Sequence, residues 1–327
     1  MISAKMKRVF VLASLIVSIL ALFSEVSSSD ANPSTGHHFA SLADSQSQLR
    51  IAMVGLSAKS TAGSQRVEAA LAQALGHDQR VSLVDASIIE PALKALSYDG
   101  SINMSTGEAR RLASAIGCDF FVVGKTEALT RSERESESHD EAYAAIMFID
   151  ARRGSLVSFD FVSEKASTRE AALSGVVNKI KSLAAGYVDQ LIQFRLSALT
   201  LRSKTSGESS FNDLIEDIPD EASARAKGFK PPQFLNRVKP DYTREAELAD
   251  ITATVEATVV FRSGGEVGNI EITRWAGFGL ENSAMRAIRQ LKFKPATRDG
   301  KPISVRAVVR YNFRRVAVSS DTEQSWD

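Results

Sequence analysis

One cysteine, Cys118, is all that the 327-residue chain contains, so no disulfide can close within it. Cys118 opens an apolar run and reads as a small buried residue. Histidine is scarce as well. His37, His38, His77 and His139 are the four present, all in polar stretches. A metal site would therefore need an all-carboxylate cage, and nothing in the pattern suggests one. No Gly-x-Ser-x-Gly elbow, Walker loop or His-Glu-x-x-His motif occurs. Gly264-Gly265 and Gly277-Phe278-Gly279 lack the flanks of a phosphate loop and read as turns. The sequence thus offers no catalytic residue, no cofactor site and no metal ligand. The expectation is a binding protein, not an enzyme.

Charge of one sign is also missing. The formal net charge is +1, which argues neither for nor against nucleic acid. With 44% hydrophobic and 24% charged residues, the chain is globular and able to bury real cores. Long apolar runs are absent after the N-terminus. There, Lys5, Lys7 and Arg8 precede fifteen nearly unbroken apolar residues, 9–23, followed by small polar residues at 24–29. This is the order of a secretory signal peptide. A spanning helix needs about 20 apolar residues, so the length favours a cleaved signal over a signal anchor. Either way the remainder is expected in the periplasm, cleaved and soluble or anchored in the inner membrane by 9–23. Export makes nucleic acid a poor partner.

Residues 30–48 are rich in Ser, Asn, Gly and His and read as a linker. The first folded region is expected at 49–200. Strands are expected at 49–56, 81–84, 119–127, 143–150 and 155–164. Arg152-Arg153-Gly154 supplies a hairpin turn. Helices are expected at 65–75, then after capping boxes at Ser87/Glu90, Ser105/Glu108 and Ser167/Glu170. Glu133, Glu135 and Glu137, interleaved with Arg131 and Arg134, read as a solvated loop. The element order indicates a mixed sheet covered by helices. Residues 201–230 are polar and Ser-rich, a second linker. The tail at 319–327 is expected to be disordered.

The last region, 231–318, opens on Pro231-Pro232. An extended segment at 238–242 leads into a short helical stretch at 243–249. Strands at 252–261 and 267–274 flank the Ser263-Gly264-Gly265 turn. An amphipathic helix turns Ala284, Ala287, Ile288 and Leu291 inward. Asp299-Gly300 then turns into a long final strand, 303–313, in which Val305, Ala307, Val309 and Tyr311 alternate with polar residues. The fold class expected is α+β: an N-terminal mixed sheet with covering helices, then a small ββαβ domain. The second part is basic, with 15 Lys and Arg against 9 Asp and Glu over 231–318. Such a surplus suits an acidic peptide or a membrane surface.

Several of these residues carry a family resemblance. Lys239-Pro240-Asp241-Tyr242, Ala246, Gly264-Gly265-Glu266-Val267, Ala284, Ala287, Phe293-Lys294-Pro295-Ala296 and Gly300-Lys301-Pro302 fall in the order of the TonB C-terminal domain. The resemblance spans about 231–316. Two departures lie inside it: Thr243 stands where the family usually has Pro, and Ala253 where many members have Gly. Two lie outside it: no long Pro-rich spacer is present, and 9–23 lacks the His of TonB anchors. More weakly, 117–124 and 149–154 resemble elements of TolB N-terminal and CsgG-like envelope domains.

The resemblance implies a final strand at a sheet edge that binds a partner by β-strand addition, in transmembrane transport and energy transduction. The implied partner is a peptide of an outer-membrane TonB-dependent receptor. An ExbB–ExbD-type motor joins if the N-terminal helix is retained. The contact is placed on Val305, Arg306, Val308, Arg310 and Asn312, with Lys239 and Tyr242 beside them. The alternative is a non-transducing periplasmic scaffold that forms a homo-oligomer, which the missing spacer favours. N-terminal sequencing of the protein recovered from the envelope tests the export reading. A start among residues 24–30 is expected; a retained 9–23 segment restores the energy-transducer expectation.

Overall fold

The computed structural model describes residues 48–56, 61–131, 139–204, 215–219 and 228–315. The expected signal segment, the first linker before Gln48, the carboxylates 133–137 and the tail lie outside these residues. The described chain belongs to one compact unit, Gln48–Asp327.

Its first half contains β1 (Leu49–Gly55), α1 (Ala62–Gly76), β2 (Val81–Leu83), α2 (Ala86–Ala95), β3 (Met104–Ser105), α3 (Thr106–Ile116), β4 (Phe120–Arg131), β5 (His139–Asp150), β6 (Leu156–Ala166) and α4 (Arg169–Lys204). Strands β2-β1-β4-β5-β6 form a mixed sheet. β1 pairs in parallel with β2 and β4, whereas β4, β5 and β6 are antiparallel. Helix ends follow side-chain chemistry. Ser105 and Glu108 form the expected capping box at α3. At α2 the cap is not Ser87: Asp85 accepts the Ser87 N–H at 2.8 Å, and the helix starts earlier than the Ser87/Glu90 pattern placed it. At α4, Thr168 rather than Ser167 accepts a first-turn N–H, that of Ala171. Gly117 ends α3 in the left-handed region.

The second half contains β7 (Ile215–Asp217), β8 (Phe229–Lys230), β9 (Gln233–Phe234), α5 (Arg244–Leu248), β10 (Ala253–Phe261), β11 (Val267–Trp275), α6 (Leu280–Arg289), β12 (Phe293–Lys294), β13 (Ala296–Arg298) and β14 (Lys301–Phe313). The second sheet runs β3-β11-β10-β14-β13-β8, with β7 paired to β14. Thr243, at the position where the resemblance expects Pro, caps α5 through the Ala246 N–H and donates its hydroxyl to Phe278 O at 2.5 Å. Within the segment read as a linker, Ile215–Asp217 is a strand.

Strand β5 is buried on both faces, from Glu141 to Asp150. One face packs under α1 and α4 through Val67, Leu71, Ile146, Phe148, Val176 and Val188. The other face packs under α2, α3 and the second half. Phe121, Tyr143, Met147, Ala249, Trp275 and Phe278 belong to one continuous core. The regions expected at 49–200 and 231–318 therefore bury each other's apolar surface. A separate core, including Phe261, Ile288, Phe293 and Val305, sits at the far end of the second sheet.

The join is specific. Gly277, Phe278 and Gly279 all have positive φ, 72°, 56° and 71°. A side chain rarely sits in that region, so packing must hold Phe278 there. Phe278 is fully buried, with its ring 5.2 Å from Phe159 and 6.2 Å from Phe161. The Trp275 indole N–H donates to Gly154 O at 2.9 Å in the buried interior. Gly154 has φ 68°, and a Cβ there would lie 2.1 Å from Thr106 O, so the hairpin accepts only glycine. Asn103 donates to the Thr254 and Trp275 carbonyls, both at 2.8 Å, and accepts the Thr254 N–H at 3.0 Å. Lys125 and Arg131 donate to the carbonyls of Ala249 and Leu248 at 2.7 and 2.6 Å, where the C-terminal end of α5 favours cations.

Phe278→Ala is expected to lower stability by about 3–5 kcal/mol in chemical denaturation, from lost transfer energy and the cavity left behind. Trp275→Phe keeps most of the bulk but strands the Gly154 carbonyl, at a cost of about 1–3 kcal/mol.

Candidate functional site

Strand β14 is the last long strand of the second sheet. Its inner edge is fully paired, from Ala253↔Phe313 to Phe261↔Val305 on β10. Its outer edge is shared among three situations. Lys301, Pro302 and Ile303 pair with β13. Ser304, Val305 and Arg306 pair in parallel with β7. From Ala307 to Phe313 the outer edge has no strand partner among the described residues. Unpaired edge N–H and C=O groups are a template for another chain.

A groove runs beside that open edge. Ala307, Val309 and Tyr311 point to it from the strand, and Pro232, Phe234 and Leu235 form the opposite wall, enclosing about 880 Å³. Leu235 and Val308 are large apolar side chains, 60% and 61% exposed. Phe234 is held edge-on against Phe261 at 5.3 Å, and β9 pairs with β12, so this wall is fixed. Asn236 secures it further, accepting the Lys292 N–H at 2.7 Å and donating to Gln290 O at 3.0 Å. An adjoining hollow of about 510 Å³ carries on from Arg237 and Val238 to Lys239, Tyr242, Arg314 and Arg315. The groove is thus apolar along the strand and basic at its end.

The expected contact residues distribute unevenly over this site. Lys239 is exposed and Tyr242 half-buried, both lining the basic hollow. The Tyr242 hydroxyl donates to Ile251 O at 2.6 Å, with Ala246 O 3.0 Å away, and burial raises its pKa. Val308 sits at the open edge. Arg310 and Asn312 lie on the exposed face of the open stretch. There Arg310 pairs with Glu256 at 2.7 Å, and the Thr254 hydroxyl donates to Asn312 at 2.8 Å. Val305 is fully buried and Arg306 pairs with Asp217 at 3.1 Å; β7 covers the outer edge of both, so they lie outside the open stretch. The groove wall at Phe234 and Leu235 was not anticipated. Its only trace in the sequence is an apolar pair inside an otherwise polar, Pro-led segment.

Residues 238–314 match the family model described as Gram-negative bacterial TonB protein C-terminal. This part of the chain is a TonB-family C-terminal domain. The match is confined to this stretch of the 327-residue chain. Among solved structures, the solution structure of the Pseudomonas aeruginosa TonB C-terminal domain is 20% identical, covering 26% of this chain and 88% of its own, with a TM-score of 0.24. Lipoprotein GNA1162 from Neisseria meningitidis is 17% identical over 44% of this chain and 99% of its own, TM-score 0.30. The PelC dodecamer from Paraburkholderia phytofirmans is 12% identical over 42% and 87%, TM-score 0.26. No curated protein matches. Among the described residues no helix is long and apolar enough to cross a membrane.

Burial pushes the Cys118 thiol of the first half up to about 12, which keeps it protonated near neutral pH. Glu281, in the first turn of α6, accepts the Ala276 and Gly277 N–H groups on one oxygen at 2.5 and 2.7 Å. Burial raises its pKa above the ordinary carboxylate value. The native state then holds a proton that the unfolded chain has already released, so this group makes stability fall as pH rises through that window. Glu281→Gln keeps the accepting oxygen and removes the charge. Its stability at pH 7 is expected to equal or exceed that of the parent, with a flatter pH profile just above pH 4.5. Denaturation midpoints from pH 4 to 7 check this.

Proposed function

We propose that this chain is an envelope binding protein, not an enzyme, and that it takes an extended peptide by β-strand addition on the outer edge of residues 307–313. The observation that supports this most is the juxtaposition of an open strand edge with a fixed apolar groove. Main-chain pairing would supply affinity, and alternate side chains dropping beside Val309, Tyr311 and Leu235 would supply specificity. The basic end at Lys239, Arg314 and Arg315 suits a peptide with acidic residues at one terminus. The TonB-family match supports the N-terminal segment of an outer-membrane transporter as the partner and a periplasmic site. An ExbB–ExbD-type motor would join only if residues 9–23 stay in place.

A second reading is a non-transducing periplasmic scaffold, and the shared core favours it. A module welded to a second folded region presents its edge from a fixed body, which suits docking. Light scattering separates the two: a stable oligomer supports the scaffold, a monomer the transducer.

The edge reading is tested by titrating the isotope-labelled chain from Gln48 onward with peptides copied from transporter N-terminal segments. Amide shifts are expected along residues 307–313. Leu235→Glu, at an exposed position, is expected to leave folding intact and weaken binding about fivefold or more. Unchanged amides across 307–313 at saturating peptide would remove the reading.

A further inference from the structure

Strand β7 stands where a partner strand would continue. Val305 and Arg306 already pair with Phe261 and Val260 across β10, so β7 lies on the outer edge of β14. It is in line with β13 before it and with the open stretch after it. Three residues are paired, and in parallel, the less stable of the two pairings per residue. None of the three is buried. Ile215 is 40% exposed, so β7 contributes no fully buried apolar side chain. Among the described residues, two ion pairs add to the ladder, Glu216 with Arg298 and Asp217 with Arg306. The Asp217–Arg306 pair is exposed and of the weak kind, whereas Glu216 and Arg298 are only 29% and 33% exposed and form the firmer of the two. Ile218, the next residue, already lines the groove.

We propose that β7 is a displaceable strap. In the free protein it occupies the first residues of the partner edge, Ser304 to Arg306. An incoming strand replaces it, extends the ladder beyond the seven open positions and frees Arg298 and Arg306 to meet the partner. The inference rests on the strand-addition reading above. It adds that the affinity of the site is set partly by a competitor within the chain, because a site populated only part of the time binds more weakly in proportion.

The test uses the labelled chain from Gln48 onward and a peptide of about ten residues, alternating valine and threonine and ending in two glutamates. At saturation the amides of Ile215, Glu216 and Asp217 are expected to move to unpaired positions while those of residues 307–313 also shift. Glu216→Arg/Asp217→Arg places like charges against Arg298 and Arg306. It is expected to speed amide exchange on β7 and to tighten peptide binding about threefold or more. Shifts along 307–313 with β7 unmoved, or a variant with a loosened β7 that binds no tighter, would overturn the strap and leave the strand-addition reading standing. Slow β7 exchange in the variant would show a firmer hold than the strap allows and overturn it too. No shift along 307–313 in either protein would sink the strand-addition reading itself, and the strap with it.

Discussion

The corner from Trp275 to Phe278 is the contact on which the rest of the molecule depends. A sheet whose central strand is apolar on both faces needs two covers. Helices α1 and α4 provide one. The other is completed only when Phe278 plugs against Phe159 and Phe161 and the Trp275 indole reaches the Gly154 carbonyl. Gly277 and Gly279 adopt positive φ without cost, so the strain of the corner sits on Phe278, and burying its ring offsets it. Asn103 then satisfies three main-chain groups at the ends of β10 and β11, and β3 adds a strand to β11. The TonB-family domain is therefore built into the body of the protein.

That placement organises the functional surface. The corner, α5 and the inner end of β10 face the first sheet, whereas the groove wall at Phe234 stacks on Phe261 and Phe293 at the far end of the second sheet, and Tyr311 spans the two cores. The edge proposed for partner binding is consequently held by two layers of packing behind it. The cross-strand partners of Arg310 and Asn312 add rigidity on the exposed face. A preorganised edge loses little freedom on pairing, which favours a short peptide as the ligand.

Much of this was legible in the sequence because it is local. The Ser105/Glu108 box, the alternation in β10 and β14 and the Asp299-Gly300 turn all act within a few residues, and the structure reproduces each. Asp85 displaced Ser87 as a cap because two capping residues stood close together and spacing alone could not rank them. The strand β7 left no signal: three residues in a polar stretch have no period, and their pairing depends on β14 almost ninety residues on. The shared core was equally invisible. Periodicity says that Tyr143 and Met147 face something apolar, but not that the something is Phe278 and Trp275. For the site, the strand was readable and its limits were not, since Val305 and Arg306 look no different in sequence from Val308 and Arg310.

The TonB-family domain and the first half form one body. Equilibrium unfolding in a Trp326→Phe background tests it directly, with Trp275 fluorescence reporting the join and far-UV circular dichroism reporting α1 and α4. Coincident, single transitions are expected for both probes. Loss of the Trp275 signal at lower denaturant, with the helical signal intact, would contradict it.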